Sequence, residues 1–482
     1  MRKRIAIIGA GVGGLATAAR LAKKGYDVEV YEKLSESGGR AHIIEDKGFK
    51  FDTGPSFVMM PDFFKEIFNY CGRDIKDYLN LRVLDIHYKI FYPDSSTLAV
   101  YRDSEKTKEE IEKIQRGGAV AYDNFIRETS RIYKYVKPLL YKCFTPKNLF
   151  NPYYWGLISK LQVGKTYWQL AKKYFKSEKL CYAFTFEAMF IGVSPFRSPA
   201  FYSVIAYTDY AHKISHSMGG MYEIPKALEK LAKSFGAKFN FNHEIDSIRY
   251  KDSLFKLNSN RGDLEANTVV VNADYAYARR KMLNIKNPDY DYSCSVYLLY
   301  WGMKQKIPAF EHHNLFFAED LRKNLNNIFK DKIISKDFSF YIHVPTRTDS
   351  SLAPEGKDIL YILIPVPNLK GSKGEFKEYE DAIRKVIIKK INSLSGIDIE
   401  KLIELEHKFY PEDFIKRYNV EYGATFGLAH TFMQSAFFRP ANYSPNLGNL
   451  YFVGASTQPG GGLPPVLASS RIVADLVTGS KI

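Results

Sequence analysis

The sequence predicts an α/β protein with one parallel sheet, a second sheet of mixed or antiparallel strands, and a helical cap. Three observations lead to this prediction. The first forty residues alternate strand, glycine turn, helix and strand, and the last forty contain a strand, a second glycine turn and a helix. Between them lie three apolar segments of β character and one basic, aromatic stretch of helical pattern. Strands that alternate with helices are typical of a parallel sheet covered by helices.

The opening unit of the chain predicts a Rossmann-like βαβ fold that binds a dinucleotide. Its glycines fit G-x-G-x-x-G at Gly9, Gly11 and Gly14. Gly9 permits the tight turn, Gly11 lets a pyrophosphate approach the backbone, and Gly14 lets helix and strand pack closely. The carboxylate of Glu32, eighteen residues after Gly14, stands about where an acid meets the ribose hydroxyls. The strand, helix and second strand are expected at residues 4–8, 12–24 and 27–31.

Length and composition limit the class of protein. A chain of 482 residues is long enough for two domains or one large composite domain. The formal net charge of +16 favours anionic surfaces as partners. The four cysteines are scattered without a C-x-x-C pair, which argues against a disulfide framework or a zinc site and suits a reducing compartment. We expect neither a signal peptide nor a transmembrane helix, because the glycine-rich start leads directly into the βαβ unit and no long apolar run follows.

The remaining elements are predicted from hydrophobic patterns and turn residues. Helical segments are expected at residues 61–71, 106–190, 224–235, 375–393 and 466–477. Strands are expected within 81–101 and at 238–242, 244–250, 268–274 and 449–456. The order helix, strand, hairpin, strand after residue 224 continues the parallel sheet begun by the opening unit. The apolar segments 295–303, 338–344 and 359–366 form one face of the second sheet.

Residues 131–179 are unusually basic and aromatic. They contain eleven basic residues, one acid (Glu178) and twelve aromatic residues. A solvated helical cap and a nucleic-acid surface are two interpretations, and the second is disfavoured because no nucleic-acid-binding fold accompanies it. A membrane interface fits best, since Trp and Tyr favour headgroup depth and lysine stems extend over apolar surface towards anionic lipid. We therefore expect a peripheral membrane protein that does not bind nucleic acid.

The C-terminal glycine loop predicts a second ligand-binding helix terminus. A strand that ends near Gly454 is followed by Gly460-Gly461-Gly462, two prolines and a helix. Proline suits a first helical turn, where its missing N–H leaves no bond unmade. A ligand that uses both glycine turns needs two electron-rich ends. Flavin adenine dinucleotide (FAD) has a pyrophosphate for the first turn and, when reduced, an isoalloxazine with negative charge near N1 and O2 for the second.

Further motifs resemble those of one family. They are Gly38-Gly39-Arg40, residues 51–56, 59–62, 291–295 and 351–357, and the run from Tyr451 to Gly460. With the glycine turns, they make the chain similar over nearly its whole length to the carotenoid desaturases, the bacterial phytoene and diapophytoene desaturases. We then expect an FAD-binding domain of glutathione-reductase-like topology at residues 1–90, 206–285 and 431–482, a helical, membrane-facing cap at 91–205, and a substrate-binding domain at 286–430.

The resemblance implies an activity, a cofactor and a location. The activity is FAD-dependent desaturation of a linear C30 or C40 carotenoid precursor, diapophytoene or phytoene, by hydride transfer to flavin N5. The partners are a hydrophobic polyprenoid, an electron acceptor such as oxygen or a quinone, and a membrane surface rich in anionic lipid. The location is the cytoplasmic face of that membrane.

The resemblance also implies which residues hold FAD. Ile245 contacts the adenine end through its backbone, and Gly54, Gly454, Gly461 and Val466 lie near the ribityl chain and flavin ring. The remaining residues surround the dinucleotide: Gly9, Gly11, Val12, Gly13, Gly14, Glu32, Gly39 and Arg40. The chain departs from the family at Leu463-Pro464-Pro465, where a small residue after the first proline is common.

For the residue that accepts the proton and for the wall of the substrate tunnel, the sequence offers candidates without deciding among them. Glu187 and Asp209 are candidate catalytic carboxylates in the apolar region, although structural carboxylates are the simpler interpretation. His212, His216 and His343 are equally open, again with a structural role preferred. No Ser–His–Asp pattern or metal-ligand spacing emerges, and His312-His313 is interpreted as a loop. The second sheet is the candidate tunnel wall, with Trp301, Phe340 and Ile362 assigned either to that wall or to the core.

Alternative functions stay open at this point. A carotenoid oxidase or isomerase on the same scaffold is the nearest enzymatic alternative. A prenyl-lipid carrier without redox activity belongs to another class, and the two intact glycine loops argue against it. A flavin amine oxidase acts on soluble cations, which a chain of net charge +16 suits poorly.

Overall fold

A computed structural model gives the fold and describes residues 3–372 and 376–480. The helices are Val12–Lys23, Pro61–Tyr70, Ser104–Ile114, Gly118–Leu139, Pro152–Trp155, Leu157–Lys160, Tyr167–Lys172, Glu178–Ala183, Val204–His212, Glu223–Ser234, Tyr275–Tyr277, Leu321–Asn326, Glu380–Ser395, Pro411–Tyr418 and Leu463–Thr478. The expected start of one helix at Glu375 lies outside the described residues. None of the helices in the two described ranges combines the length and apolarity needed to cross a bilayer.

The first sheet is parallel and has five strands. Their order across the sheet is Leu450–Phe452, Thr268–Val271, Arg4–Ile8, Asp27–Tyr31 and Lys238–Asn240. In this register Ile8 pairs with both Tyr31 and Val271, and Val271 pairs with Phe452. The turns that follow these strands therefore meet at one edge of the sheet, where doubly wound folds bind ligands. The predicted parallel sheet is confirmed.

The predicted hairpin lies between two strands of the parallel sheet. The segment expected at 244–250 is its first strand, and the hairpin extends to a three-stranded antiparallel sheet of Ile245–Lys251, Leu254–Ser259 and Leu264–Ala266. A two-residue turn joins the first two strands, and there Asp252 and Ser253 both have positive φ. Such a turn matches the twist of an antiparallel hairpin.

The second sheet is mixed and has seven strands. Their order is Ile403–Phe409, Ser295–Met303, Asp358–Val366, Phe340–His343, His313–Phe316, Ile86–Phe91 and Thr97–Tyr101. Only the pair of His313–Phe316 with Ile86–Phe91 is parallel. Two small sheets pair Ile43–Asp46 with Phe49–Asp52 and Leu81–Val83 with Ser215–Ser217. The expected second sheet is confirmed.

The two faces of the second sheet have different roles. On the strand Ser295–Met303, Val296 and Leu298 face a large cavity, whereas Trp301 packs in the core against the helix Glu380–Ser395. This follows from the two-residue period of side chains along a strand. Ile362 shares the core face with Trp301, so both are core residues and not tunnel wall, while Phe340 lines the cavity.

The helices between Ser104 and His212, which we call the cap, contain a buried pair of carboxyl groups, Glu187 and Asp209. Glu187 is fully buried and accepts a hydrogen bond from the hydroxyl of Tyr167 at 2.9 Å. Burial raises the pKa of Glu187 to about 7, and burial beside Glu187 raises the pKa of Asp209 well above its ordinary value. Both groups titrate near pH 4 in an unfolded chain. Between about pH 4 and 7 the native state therefore holds more protons than the unfolded state, and the free energy of unfolding falls as the pH rises.

The substitution Asp209→Asn removes one titrating group from this pair. We expect the fall in the free energy of unfolding between pH 4 and 7 to become shallower by up to about 1.4 kcal/mol per pH unit, the amount for one proton. Urea unfolding at a series of pH values measures the slope. The variant Glu178→Gln, which removes an exposed acid of the same cap, is the control that keeps the wild-type slope. Equal slopes for Asp209→Asn and the wild type would contradict the raised pKa of Asp209 in the native state.

Candidate functional site

A single cavity connects the parallel sheet, the second sheet and the cap. Its volume is about 1060 Å³. Twelve of the thirteen residues expected around the cofactor line it: Gly9, Gly11, Val12, Gly13, Glu32, Gly39, Arg40, Gly54, Ile245, Gly454, Gly461 and Val466. The thirteenth, Gly14, faces the sheet, where a Cβ atom would overlap the carbonyl of Gly9. Its role is therefore the close packing of helix and strand.

The first glycine turn leaves backbone amides open to the cavity. Gly9 has a φ of +100°, which permits the sharp turn out of the strand. Gly11 is the N-cap of the helix Val12–Lys23 without a side-chain cap, and the first turn contains no acid. The first intrahelical bond runs from the N–H of Leu15 to the carbonyl of Gly11 at 2.9 Å. The amides before Leu15 have no intrahelical acceptor, which makes this helix end suited to an anion.

Glu32 is held rigidly at the end of the second strand. Its two carboxylate oxygens accept hydrogen bonds from the N–H of Ala10 at 2.7 Å and the N–H of Leu34 at 3.0 Å. Burial raises the pKa of Glu32, and the two backbone bonds oppose that rise. A carboxylate with both oxygens anchored and its side chain on the cavity wall can accept hydroxyl hydrogens through its remaining lone pairs.

Arg40 connects the turn at Gly38-Gly39 with the opposite wall of the cavity. Its guanidinium donates to the carbonyl of Thr425 at 2.8 Å and lies 3.7 Å from the carboxylate of Asp274. Gly39 has a φ of +57°, and a Cβ atom there would lie 3.2 Å from the Cα of Gly11. The turn at Gly38-Gly39 therefore packs directly on the opening glycine turn at Gly11.

The C-terminal loop forms the other polar surface of the cavity. The N–H of Gly461 donates to Nε2 of His430 at 2.9 Å. The helix begins at Leu463, three residues before its predicted start, because Pro464 and Pro465 fit its first turn. Since these prolines have no N–H, the helix offers few amides to a ligand, and its N-terminal dipole is the main attraction for negative charge.

Arg439 organises this loop and was not found from the sequence. Its buried guanidinium donates to five backbone carbonyls, those of Leu428, Ala429, Gln434, Ala455 and Thr457. Burial lowers the pKa of Arg439 to about 10. Gln458 similarly bonds the backbone of Phe144 in the cap. Backbone carbonyls of distant loops carry no sequence signal, so neither role was predictable.

The apolar half of the cavity ends at an exposed mouth. Several residues both line the cavity and are exposed to solvent: Trp155, Ile158, Val163, Met433 and Phe438. Exposed fractions of 65% for Trp155 and 70% for Met433 show that large apolar groups face solvent here. We call these five residues the apolar mouth. Large exposed apolar patches mark binding surfaces.

The candidate proton acceptors lie away from the cavity wall. Glu187 and Asp209 line a small, separate cavity in the cap. His216 and His343 are buried behind the wall, and His212 lies 3.3 Å from the hydroxyl of Tyr133. The expected loop at His312-His313 is wrong, because His313 begins a buried strand that pairs with Phe340–His343.

His430 is the histidine that contacts the C-terminal glycine loop. Burial beside Arg439 holds the pKa of His430 well below its usual range, so the ring is neutral. Because Nε2 accepts from Gly461, the ring proton sits on Nδ1. His430 therefore supports the loop and has no free lone pair for a proton.

Comparisons with known proteins place the chain in a family. A sequence profile of the flavin containing amine oxidoreductases matches residues 12–478. A zeta-carotene-forming phytoene desaturase of Myxococcus xanthus is 36% identical over 484 residues, which cover 98% of this chain and 93% of the relative. A 4,4'-diapophytoene desaturase (4,4'-diaponeurosporene-forming) of Staphylococcus haemolyticus is 33% identical over 492 residues, covering 98% of each chain.

A solved structure of Rab GDI from Plasmodium falciparum is similar in fold, with a TM-score of 0.59 and 12% identity over 100% of this chain and 99% of that one. At this identity the likeness concerns the fold alone. The family profile and the full-length relatives decide the assignment. The chain therefore belongs to the flavin containing amine oxidoreductase family and, within it, to the carotenoid desaturases.

Proposed function

We propose that this chain, an FAD-dependent oxidoreductase, introduces conjugated double bonds into a linear C30 or C40 carotenoid precursor, diapophytoene or phytoene. The observation that carries the proposal is the continuity of one cavity from the glycine turns to the apolar mouth. When bound, FAD supplies the acceptor for the hydrogens removed from a CH–CH bond. The names of the two desaturase relatives support the reaction and the substrate class.

The polar half of the cavity fits FAD. Its glycines leave room for a ligand beside the backbone, and the amides that open the helix Val12–Lys23 suit the pyrophosphate. We assign Glu32 to the ribose hydroxyls and the backbone of Ile245 to the adenine. We assign the dipole of the helix Leu463–Thr478 to the electron-rich edge of the ring. We propose the twelve residues that line the cavity as the cofactor contacts.

The chain's own contribution to the chemistry is orientation and exclusion of water. Among the described residues, the carboxylates that line the cavity are Glu32, Glu244 and Asp274, all in its polar half. The apolar half is lined by cap and sheet side chains such as Phe186, Leu315 and Leu363. Side chains of this kind hold a polyene in one pose, and correct positioning alone accounts for a large share of a barrier. We assign no catalytic acid or base, and we regard Glu187 and Asp209 as structural.

The apolar mouth is the proposed contact with a membrane. Trp155 and Ile158 belong to short helices of the basic, aromatic segment, and the exposed Lys147, Lys160 and Lys165 lie in the same segment. Apolar groups that enter the headgroup region beside lysines are typical of proteins that lie on anionic membranes. A water-insoluble substrate would then enter the cavity directly from the bilayer. We propose the cytoplasmic face, with oxygen or a quinone as electron acceptor.

Co-expression with a synthase that makes either the C30 or the C40 precursor tests the reaction. We expect coloured, conjugated hydrocarbons from at least one precursor, identified by chromatography and mass. Loss of two hydrogens for each new double bond identifies desaturation. Oxygenated products would favour a carotenoid oxidase, products of unchanged mass an isomerase, and colourless cultures would contradict the proposal for both precursors.

The glycine turn gives a direct test of the cofactor site. A Cβ atom at Gly11 would lie 2.8 Å from Oδ1 of Asn272, so Gly11→Ala forces this turn to move. Overpacking of this kind costs about 1–3 kcal/mol, and we expect the affinity for FAD to fall about 10-fold or more. Titration of the deflavinated chain with FAD measures it. Gly448→Ala is the control, because a Cβ atom there meets nothing within 4 Å. Equal affinities for the two variants would contradict this placement.

Liposome flotation tests the apolar mouth. We expect the wild type to float with vesicles that contain anionic lipid, and the double variant Trp155→Ala, Phe438→Ala to remain largely in the soluble fraction. The matched control is Tyr250→Ala, which removes an aromatic side chain that is 44% exposed in the antiparallel hairpin. Flotation of the double variant at the wild-type level would overturn the membrane contact, and indifference to lipid charge would overturn the role of the lysines.

A further inference from the structure

Three buried histidines from distant parts of the chain meet behind the cavity wall. His216 lies on the strand Ser215–Ser217, His312 directly precedes the strand His313–Phe316, and His343 ends the strand Phe340–His343. One ring nitrogen of each lies within 4.8 Å of the other two. The Nε2 atoms of His312 and His343 are 3.0 Å apart. None of the three rings is more than 4% exposed.

The hydrogen bonds of these rings are incomplete. Both nitrogens of His216 lack a hydrogen-bond partner among the described residues, although the ring is fully buried. A buried donor without a partner costs about 1–3 kcal/mol, so such a group points to a missing ligand. The Nδ1 atom of His312, in contrast, is 2.7 Å from the hydroxyl of Thr348. A bond on the far nitrogen fixes the ring and directs Nε2 to the cluster, as happens in histidine metal ligands.

Two buried carboxylates surround His216. The Oδ2 atom of Asp349 lies 3.8 Å from the Nε2 atom of His216. Asp349 is itself held by the N–H groups of Gly219 and Ser351. The buried carboxylate of Asp52 accepts from the N–H of Met221 at 2.9 Å, in the turn that follows the strand of His216. Two carboxylates can balance the charge of a divalent cation in a buried position, where an isolated charge is unfavourable.

We propose that His216, His312 and His343 bind a divalent transition-metal ion, with Zn²⁺ preferred. Imidazole donors suit this ion. Tetrahedral Zn²⁺ with bonds of about 2.0–2.1 Å needs ligand atoms about 3.3 Å apart. The pair at 3.0 Å already approaches this spacing, and closure of the site needs an inward shift of His216, because the three ligand atoms now lie within 4.8 Å of one another.

The site is structural and not catalytic. The three histidines are buried and do not line the large cavity, so an ion held by them lies out of reach of a substrate in that cavity. The strand of His216 leads into the helix Glu223–Ser234, which packs on the helix Val12–Lys23 beside the parallel sheet. His343 lies in the second sheet and His312 directly precedes one of its strands. A bound ion therefore joins the two-stranded sheet of Ser215–Ser217 and Leu81–Val83 to the second sheet, next to the ring of Phe57 that stacks on His313 and lines the cavity.

Zinc binding by the flavin-loaded protein tests the proposal. Protein treated with a chelator and then titrated with ZnCl₂ is expected to bind about one equivalent, by calorimetry and elemental analysis. Binding to the native state alone raises the midpoint of thermal unfolding. The variants His216→Gln and His343→Gln are expected to lose both effects. His87→Gln, which changes a histidine that is 1% exposed but outside the ligand set, is expected to keep them.

The flavin spectrum reports whether each variant is folded, independently of metal. If a ligand variant fails to fold, the titration of the wild type decides alone. A wild type that stays folded but binds no stoichiometric Zn²⁺ overturns the proposal and leaves a hydrogen-bonded histidine cluster. Equal binding by His216→Gln and His87→Gln also overturns it.

Discussion

The side chain of Asn272 is the contact on which the polar half of the cavity depends. Its amide donates to the carbonyl of Val453 at 2.9 Å, while a Cβ atom at Gly11 or Gly13 would come within 2.8 Å of it. This one side chain thus holds together the opening turn, the end of a central strand and the C-terminal strand. The glycines are required first by packing between chain segments. The open backbone that a pyrophosphate needs follows from that packing.

The second sheet separates the cavity from the core of its own domain. Its strand Ser295–Met303 is buried along its whole length, without the polar alternation of a half-exposed strand. Alternate side chains nevertheless face two different environments, Leu298 the cavity and Leu299 the core. The core face packs on the helix Glu380–Ser395 and fixes the sheet, and the fixed sheet in turn gives the cavity a rigid wall.

The sequence predicts which residues line the cavity where those residues lie within one short segment of the chain. The spacing of Gly9, Gly11 and Glu32 depends on a single βαβ unit, and the structure places all three on the cavity wall. Sequence reasoning failed where strand pairing decides the outcome. His313 and His343 are partners in an antiparallel register that no short motif encodes. The sequence does not assign Trp301 and Ile362 to the wall or to the core, because an apolar strand buried on both faces does not reveal which face meets the ligand.

The polar half of the cavity favours polar ligands and the apolar half favours apolar ligands. In the polar half, amides at the start of the helix Val12–Lys23 have no intrahelical acceptor, so an apolar chain placed there would leave them unpaired. In the apolar half, a polar ligand would lose its hydration without gaining partners. An apolar polyprenoid is therefore stable only in the apolar half, between the apolar mouth and the polar half of the cavity. In the proposed function, this polarity gradient directs a CH–CH bond of the substrate to the end of the apolar half that meets the proposed flavin site, and the shape and polarity of the wall, more than any single side chain, select the substrate.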